Sequence, residues 1–190
     1  MSQNIPGNGP SKAPPKARLM QRFLRFMSER RVLSDARMLE LYPPFWFMRI
    51  KVLEMNKEWR RVRILLPLNA ISRNPGGVMF GGYQAALADP VAALACARVF
   101  PGYSVWTRGL TVDFERGGST DLELRFEFPA ALEEDIRATL TREQRATPSF
   151  EYGFYLADGT RCTRIVNTVA IRPRGYSKAT TPPAPESGVD

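Results

Sequence analysis

The chain predicts an α+β fold, a largely antiparallel sheet crossed by one long helix, and three observations carry that expectation. Short runs of alternating apolar and polar residues come in neighbouring pairs, the signature of hairpins. One long segment, residues 82–99, holds seven alanines and reads as a helix small enough in cross-section for a sheet to close around it. The order is strand, strand, long helix, strand, strand, helix, strand, strand, which hairpins make mostly antiparallel.

Residues 1–15 are rich in Pro, Gly, Asn and Ser and are expected to be disordered. From Lys16 to Leu41 the pattern becomes helical, with Leu19, Phe23, Phe26 and Met27 at three- and four-residue steps. Ser34 is placed to cap a second short helix carrying Met38, Leu39 and Leu41, which Tyr42-Pro43-Pro44 ends. Phe45–Glu54 and Trp59–Pro67 read as strands joined by a hairpin, the second with Val62, Ile64 and Leu66 on one face. An irregular loop follows, broken by Pro75 and Gly76-Gly77. In the long helix Pro90 deletes the bond to the Ala86 carbonyl and is expected to kink or interrupt it. Ser104–Glu115 and Asp121–Phe128 read as strands, and Ala130–Arg145 as an amphipathic helix with Leu132, Ile136 and Leu140 inward. The last two strands, Phe150–Ala157 and Thr160–Arg172, flank Asp158-Gly159, a type I′ turn signal. The tail, residues 174–190, is polar and Pro-rich and reads as flexible.

Composition narrows the chemistry. The chain has no histidine, so neither a Ser-His-Asp nor a Cys-His nucleophile can be built, nor a His-based metal site. Acid–base work falls to a carboxylate, Tyr, Lys or water. The two cysteines, Cys96 and Cys162, have no metal-like spacing and read as a reduced core pair, which suits a cytoplasmic protein. No run approaches the ~18 apolar residues of a membrane span, and the N-terminus lacks the apolar core of a secretory signal. The net charge is +8, and residues 1–41 hold eight basic against three acidic side chains. That basic segment has three readings: packing over the sheet or a dimer edge, contact with an anionic membrane surface, or a targeting arm. The remaining positive charge is diffuse, suits a phosphorylated small molecule and argues against nucleic acid.

Function concentrates between Asn74 and Pro90. Asn74 precedes the pairs Gly76-Gly77 and Gly81-Gly82, and Asp89 lies eight residues past Gly81. Glycines that open a helix leave its first N–H groups bare, and the macrodipole makes them attractive to an anion. A carboxylate on a small-residue apolar helix is costly to bury without work or partners. Oxyanion donors together with a carboxylate are the minimum for acyl transfer. Bland readings stand beside these: Asp89-Pro90 fits a helix start as N-cap and N1, Asn74 could cap its own turn, and glycine pairs make ordinary turns.

With Tyr42-Pro43-Pro44-Phe45, Asn74-Pro75-Gly76-Gly77-Val78-Met79-Phe80-Gly81-Gly82 and Ala88-Asp89-Pro90 in this order, the chain resembles hotdog-fold thioesterases, most closely the PaaI-like and YiiD-C-terminal-like branch. Val105-Trp106 and Val112-Asp113-Phe114 add to it, and the resemblance spans roughly residues 42–173, the expected hotdog domain behind a helical extension at 16–41. It implies a homodimer, often paired into a homotetramer, with the site at the subunit interface. Asn74 would orient the thioester carbonyl or the attacking water, Gly81 and Gly82 would present N–H groups to the oxyanion, and Asp89 would be base or nucleophile. Relatives often carry His before the second glycine pair. Here that residue is Phe80, which with Met79 can only form an apolar acyl pocket. Thr107, Ser104 and Tyr83 are further hydroxyl candidates, and Arg73, Arg108 and Arg116 could meet phosphates; all also serve as ordinary structural or surface residues.

The expected function is hydrolysis of an acyl-CoA to a carboxylate and free coenzyme A, with no metal and no cofactor beyond the coenzyme A of the substrate. The alternative is a non-catalytic hotdog domain that binds acyl-CoA or lipid.

Overall fold

The computed structural model describes residues 34–176. The expected disorder at 1–15, the helical pattern from Lys16 and the end of the polar tail lie outside them. Ten elements follow in chain order: α1 (Asp35–Leu41), α2 (Pro43–Met48), β1 (Lys51–Met55), β2 (Arg61–Leu66), α3 (Gly81–Val99), β3 (Tyr103–Phe114), β4 (Leu122–Glu127), α4 (Ala130–Glu143), β5 (Ser149–Tyr155) and β6 (Arg161–Pro173). The strands form one antiparallel sheet in the order β1-β2-β4-β5-β6-β3.

Helix α3 lies across this sheet, and its small residues do what the composition implies. Ala88, Ala92, Ala95 and Cys96 are fully buried along with Leu87, which lets the strands approach the helix backbone. Facing them are the inward residues of the alternating strands: Val62, Ile64 and Leu66 on β2, Leu122 and Leu124 on β4, Ile165, Val169 and Ile171 on β6. Both cysteines are free and buried in this core. Burial pushes the Cys96 thiol up to about 12, so it stays protonated.

Three local expectations need correction. The aromatic run Phe45-Trp46-Phe47-Met48 is helical, not a strand: Tyr42 ends α1, and Pro43 and Pro44 then occupy the first positions of α2 with φ already set for a helix. Helix α3 runs unbroken from Gly81 to Val99 with Pro90 inside it, so Asp89 is a mid-helix residue and not an N-cap. The Asp158-Gly159 turn is not type I′, which needs positive φ at both central residues; only Gly159 is left-handed (φ 84°). Leu156 bonds Thr160, closing a three-residue loop, and Asp158 Oδ1 accepts from the Thr160 N–H at 2.8 Å.

Strand β3 is an edge of the sheet, paired on one side only. Its register against β6 slips between Thr107 and Gly109, so Arg108 is an extra residue in a β-bulge. The bulge reverses the alternation. Val105 packs inward before it, and Leu110 and Val112 pack inward after it. Continued by two residues, this parity brings the Phe114 ring against Gly81 at the start of α3.

Candidate active site

The loop before α3 is tied down by its own backbone. Asn74 N–H donates to the Val78 carbonyl (2.8 Å), Gly77 N–H to the Asn74 carbonyl (2.9 Å), Met79 N–H to Gly118 (2.8 Å) and Phe80 N–H to Ser72 (2.7 Å). Asn74 Oδ1 accepts from the Val78 N–H at 3.3 Å, the turn-capping role open to it from the sequence. Its amide nitrogen takes no acceptor among the described residues.

After Phe80 the chain turns into α3 without a side-chain cap. The N–H groups of Gly81 and Gly82 have no acceptor among the described residues, and they point along the positive end of the helix. Two exposed rings frame them. A Cβ on Gly81 would meet the Phe114 ring at 2.7 Å, and one on Gly82 the Phe80 ring at 2.5 Å. Tyr83 meets Phe80 edge-on at 5.7 Å, so the bare N–H groups open into an aromatic surround. Met79, by contrast, is 2% exposed and belongs to the core beneath this surface.

Asp89 is exposed, yet its main chain is anchored firmly. Its carbonyl accepts from Thr107 Oγ1 (2.8 Å) on β3 and from Asn167 Nδ2 (2.9 Å) on β6. Asn167 Nδ2 also donates to the Tyr152 hydroxyl (3.0 Å), which donates to the Ala88 carbonyl (2.6 Å). The two carbonyls preceding Pro90 therefore gather three side-chain donors from three strands. Burial raises the Tyr152 hydroxyl above its ordinary pKa, the Asn167 bond opposes this and the Asp89 charge adds to it, so Tyr152 is a neutral donor. Asn167 Oδ1 is the one buried side-chain polar atom without a partner among the described residues.

Tyr152 and Asn167 were not singled out from the sequence, although a signal existed. Each stands at an inward position of an otherwise apolar alternation, between Phe150 and Phe154 and between Ile165 and Val169. Phe114 had no such signal, because only the bulge puts it on the helix side of the sheet, where its exposed ring lies against Gly81. Of the other candidates, Arg73, Arg108 and Arg116 are exposed. Glu115 pairs with Arg161 at 2.7 Å, which holds its carboxyl below the usual range. Among the described residues no three His, Cys, Asp or Glu side chains cluster as a metal site would require. No helix among them is long and apolar enough to cross a membrane.

Gly82 and Asp89 are seven residues apart, nearly two full turns. They share a face of α3 but stand about 10 Å apart along its axis. A reacting carbonyl must sit about 3 Å from both the attacking group and the oxyanion donors. Within one chain these two groups cannot serve the same carbonyl.

The family described as Domain of unknown function (DUF4442) matches residues 30–171. Among curated proteins none matches the sequence. Among solved structures the chain is similar to a Pseudomonas aeruginosa protein of unknown function described as a probable thioesterase, with TM-score 0.62 and 15% identity, over 80% of this chain and 95% of that one. It is similar to a Chlorobaculum tepidum protein of unknown function (TM-score 0.59, 12% identity, 83% of this chain and 96% of that one). A Haemophilus influenzae thioesterase is also similar (TM-score 0.54, 14% identity, 71% and 86%). At these identities the likeness is one of fold, and the fold is the hotdog: an antiparallel sheet wrapped on a long helix.

Proposed function

We propose, for a chain that belongs to the family described as Domain of unknown function (DUF4442), that it hydrolyses acyl-CoA thioesters and does so as a dimer. The observation that carries the reading is the pairing of an exposed, backbone-anchored Asp89 with bare N–H groups two turns away on the same helix face.

The spacing supports a two-fold dimer. If two copies set their α3 helices antiparallel, Asp89 of one comes level with Gly81 and Gly82 of the other, closing the gap of about 10 Å. Strand β3 offers the surface for it: an edge of twelve residues with Trp106 72% exposed and a free row of backbone groups. Such dimers can pair again into a tetramer.

In that site the thioester oxygen lies on the Gly81 and Gly82 N–H groups. A water held by Asp89 attacks the carbonyl carbon while the carboxylate takes its proton, and the oxyanion that forms is met by donors already in place. The C–S bond then breaks, the proton passes to the sulfur, and the products are a carboxylate and the free thiol. Direct attack by the Asp89 carboxylate, followed by water, gives the same products. Asn74, held in its turn through Oδ1, keeps its amide N–H groups for the carbonyl or the water. Coenzyme A enters as part of the substrate.

The test is thiol release from short, long and aromatic acyl-CoAs by the native protein and Asp89→Ala. Turnover that collapses in the variant supports the reading; unchanged turnover in Asp89→Ala would sink the role given to Asp89. A second reading, acyl-CoA or lipid binding without hydrolysis, is favoured by Phe80, an apolar ring where relatives often place a histidine. Binding of acyl-CoA with no thiol release at any chain length would select it.

A further inference from the structure

Beside α3 runs a groove of about 690 Å³, walled on its other side by α1 and α2. Its floor is one stripe of the helix, Ala86, Pro90, Leu94 and Arg98, repeating every four residues. Small Ala86 and Pro90 keep the floor low near Asp89, which lies on the rim. The opposite wall is apolar: Leu39, Tyr42 and Phe45. Charged carboxylates mark two places along it. One is the Asp89 carboxylate. The other is Asp35, whose Oδ1 accepts from Arg98 Nη2 (2.6 Å) and whose Oδ2 accepts from Trp59 Nε1 (2.9 Å).

We propose that this groove binds the acyl chain of the thioester and measures its length, a proposal that rests on the thioesterase reading for the identity of the group at Asp89. The chemistry follows from the ends. A carbonyl held at Asp89 leaves its alkyl tail beside the groove that Asp89 borders. At the far end the Asp35 carboxylate is already engaged by Arg98 and Trp59, and the wall between it and Asp89 is mostly apolar, which suits an alkyl chain along the groove. From Asp89 to Arg98 the helix rises about 13 Å, which suits a chain of medium length, and the volume falls in the usual range for small-molecule sites, about 300–1,000 Å³. A longer chain would have to break the Asp35–Arg98 pair.

The experiment measures binding of non-hydrolysable S-alkyl-CoA thioethers, hexyl, decyl and hexadecyl, to the full-length protein by calorimetry. The native protein should bind the decyl compound tighter than the hexyl, with no further gain for hexadecyl. Leu94→Trp, which fills the floor midway, should weaken decyl binding by about tenfold while leaving hexyl binding nearly unchanged, because only the longer tail loses its buried methylenes. Arg98→Ala, which opens the far end, should improve hexadecyl binding relative to decyl.

A chain-length profile identical in native protein and Leu94→Trp, with both folded by circular dichroism, would overturn the proposal. So would a change in oligomeric state as the sole effect of Leu94→Trp, which would make the groove a contact between copies. Failure of every thioether to bind the full chain would mean that another segment covers the groove, and would also overturn it. Length-dependent binding without thiol release from acyl-CoAs would uphold the groove and reject hydrolysis. Thiol release with an unaltered length profile in Leu94→Trp would do the reverse.

Discussion

Thr107 on the edge strand and Asp89 in the middle of the central helix are joined through the main chain: the threonine hydroxyl donates to the aspartate carbonyl at 2.8 Å. The carboxylate of the same residue is left exposed. This contact lies beside the Arg108 bulge, so the irregularity of β3, the proline within α3 and the candidate carboxylate meet in one place. Bulges re-aim side chains next to functional sites; here the bulge aims Thr107 before it and Phe114 after it at the same helix.

Asp89→Asn keeps the shape of the side chain but replaces one acceptor oxygen by an NH2 donor and removes the base. Turnover is expected to fall by about a hundredfold or more. Stability should change by less than about 0.5 kcal/mol, because the side chain is exposed and its anchors hold the backbone. Kinetics and a urea melt on the same preparation check both.

Thr107→Val removes one of the two side-chain donors to the Asp89 carbonyl and leaves Asn167. A cost of about 1 kcal/mol is expected. As a positioning residue, Thr107 should affect kcat several-fold with little change in KM, and Thr107→Ser should restore it. A loss of stability with kcat unmoved would make the contact purely structural.

Two glycines separate hard from soft obstruction. A Cβ on Gly153 of β5 would lie 2.5 Å from the Thr163 carbonyl oxygen, backbone that the β5–β6 ladder holds in place. Gly153→Ala is expected to cost about 2–3 kcal/mol. A Cβ on Gly82 meets the Phe80 ring at the same distance, but that ring is 50% exposed and can swing away. Gly82→Ala should cost less than about 1 kcal/mol. Denaturation midpoints of the two variants give the comparison, and equal losses would contradict it.

Acid should weaken the attachment of α4. Glu133 accepts from Arg60 Nε (2.8 Å) and Nη2 (2.9 Å) and from Arg137 Nη2 (2.7 Å). These bonds, Arg60's first, hold its carboxyl at about 2. A carboxyl lowered on folding contributes stability above its unfolded pKa of about 4.3 and loses it as the pH falls towards the folded value. The window is therefore about pH 4.5 down to 2. The arginines are partly exposed, which limits the contribution to about 1 kcal/mol. Glu133→Gln should be less stable than the native protein at neutral pH and should converge with it near pH 2. An equal gap at both pH values would show that the ion pair is not the cause.

Much was legible in the amino-acid sequence by itself, because periodicity and composition are local. The alternations of Val62-Ile64-Leu66 and Leu122-Leu124-Phe126 declared their buried faces, and the alanines of residues 82–99 declared a helix built to be enclosed. The glycines before that helix and Asp89 within it announced the chemistry worth testing, and the missing histidine removed the main alternatives.

Tertiary structure decided the rest, where local preference pointed two ways or was silent. Pro90 reads as a helix start or a break, and only packing of α3 into the sheet, with Tyr152, Asn167 and Thr107 donating to the carbonyls beside it, keeps the helix whole and puts Asp89 in its middle. The bulge at Arg108 leaves no mark in composition, since it arises from pairing with β6, yet it determines that Phe114 reaches Gly81. The groove along Leu94 exists because α3 packs back beside α1 and α2, which lie more than thirty residues earlier in the chain. Contacts of that range have no period for a sequence to display.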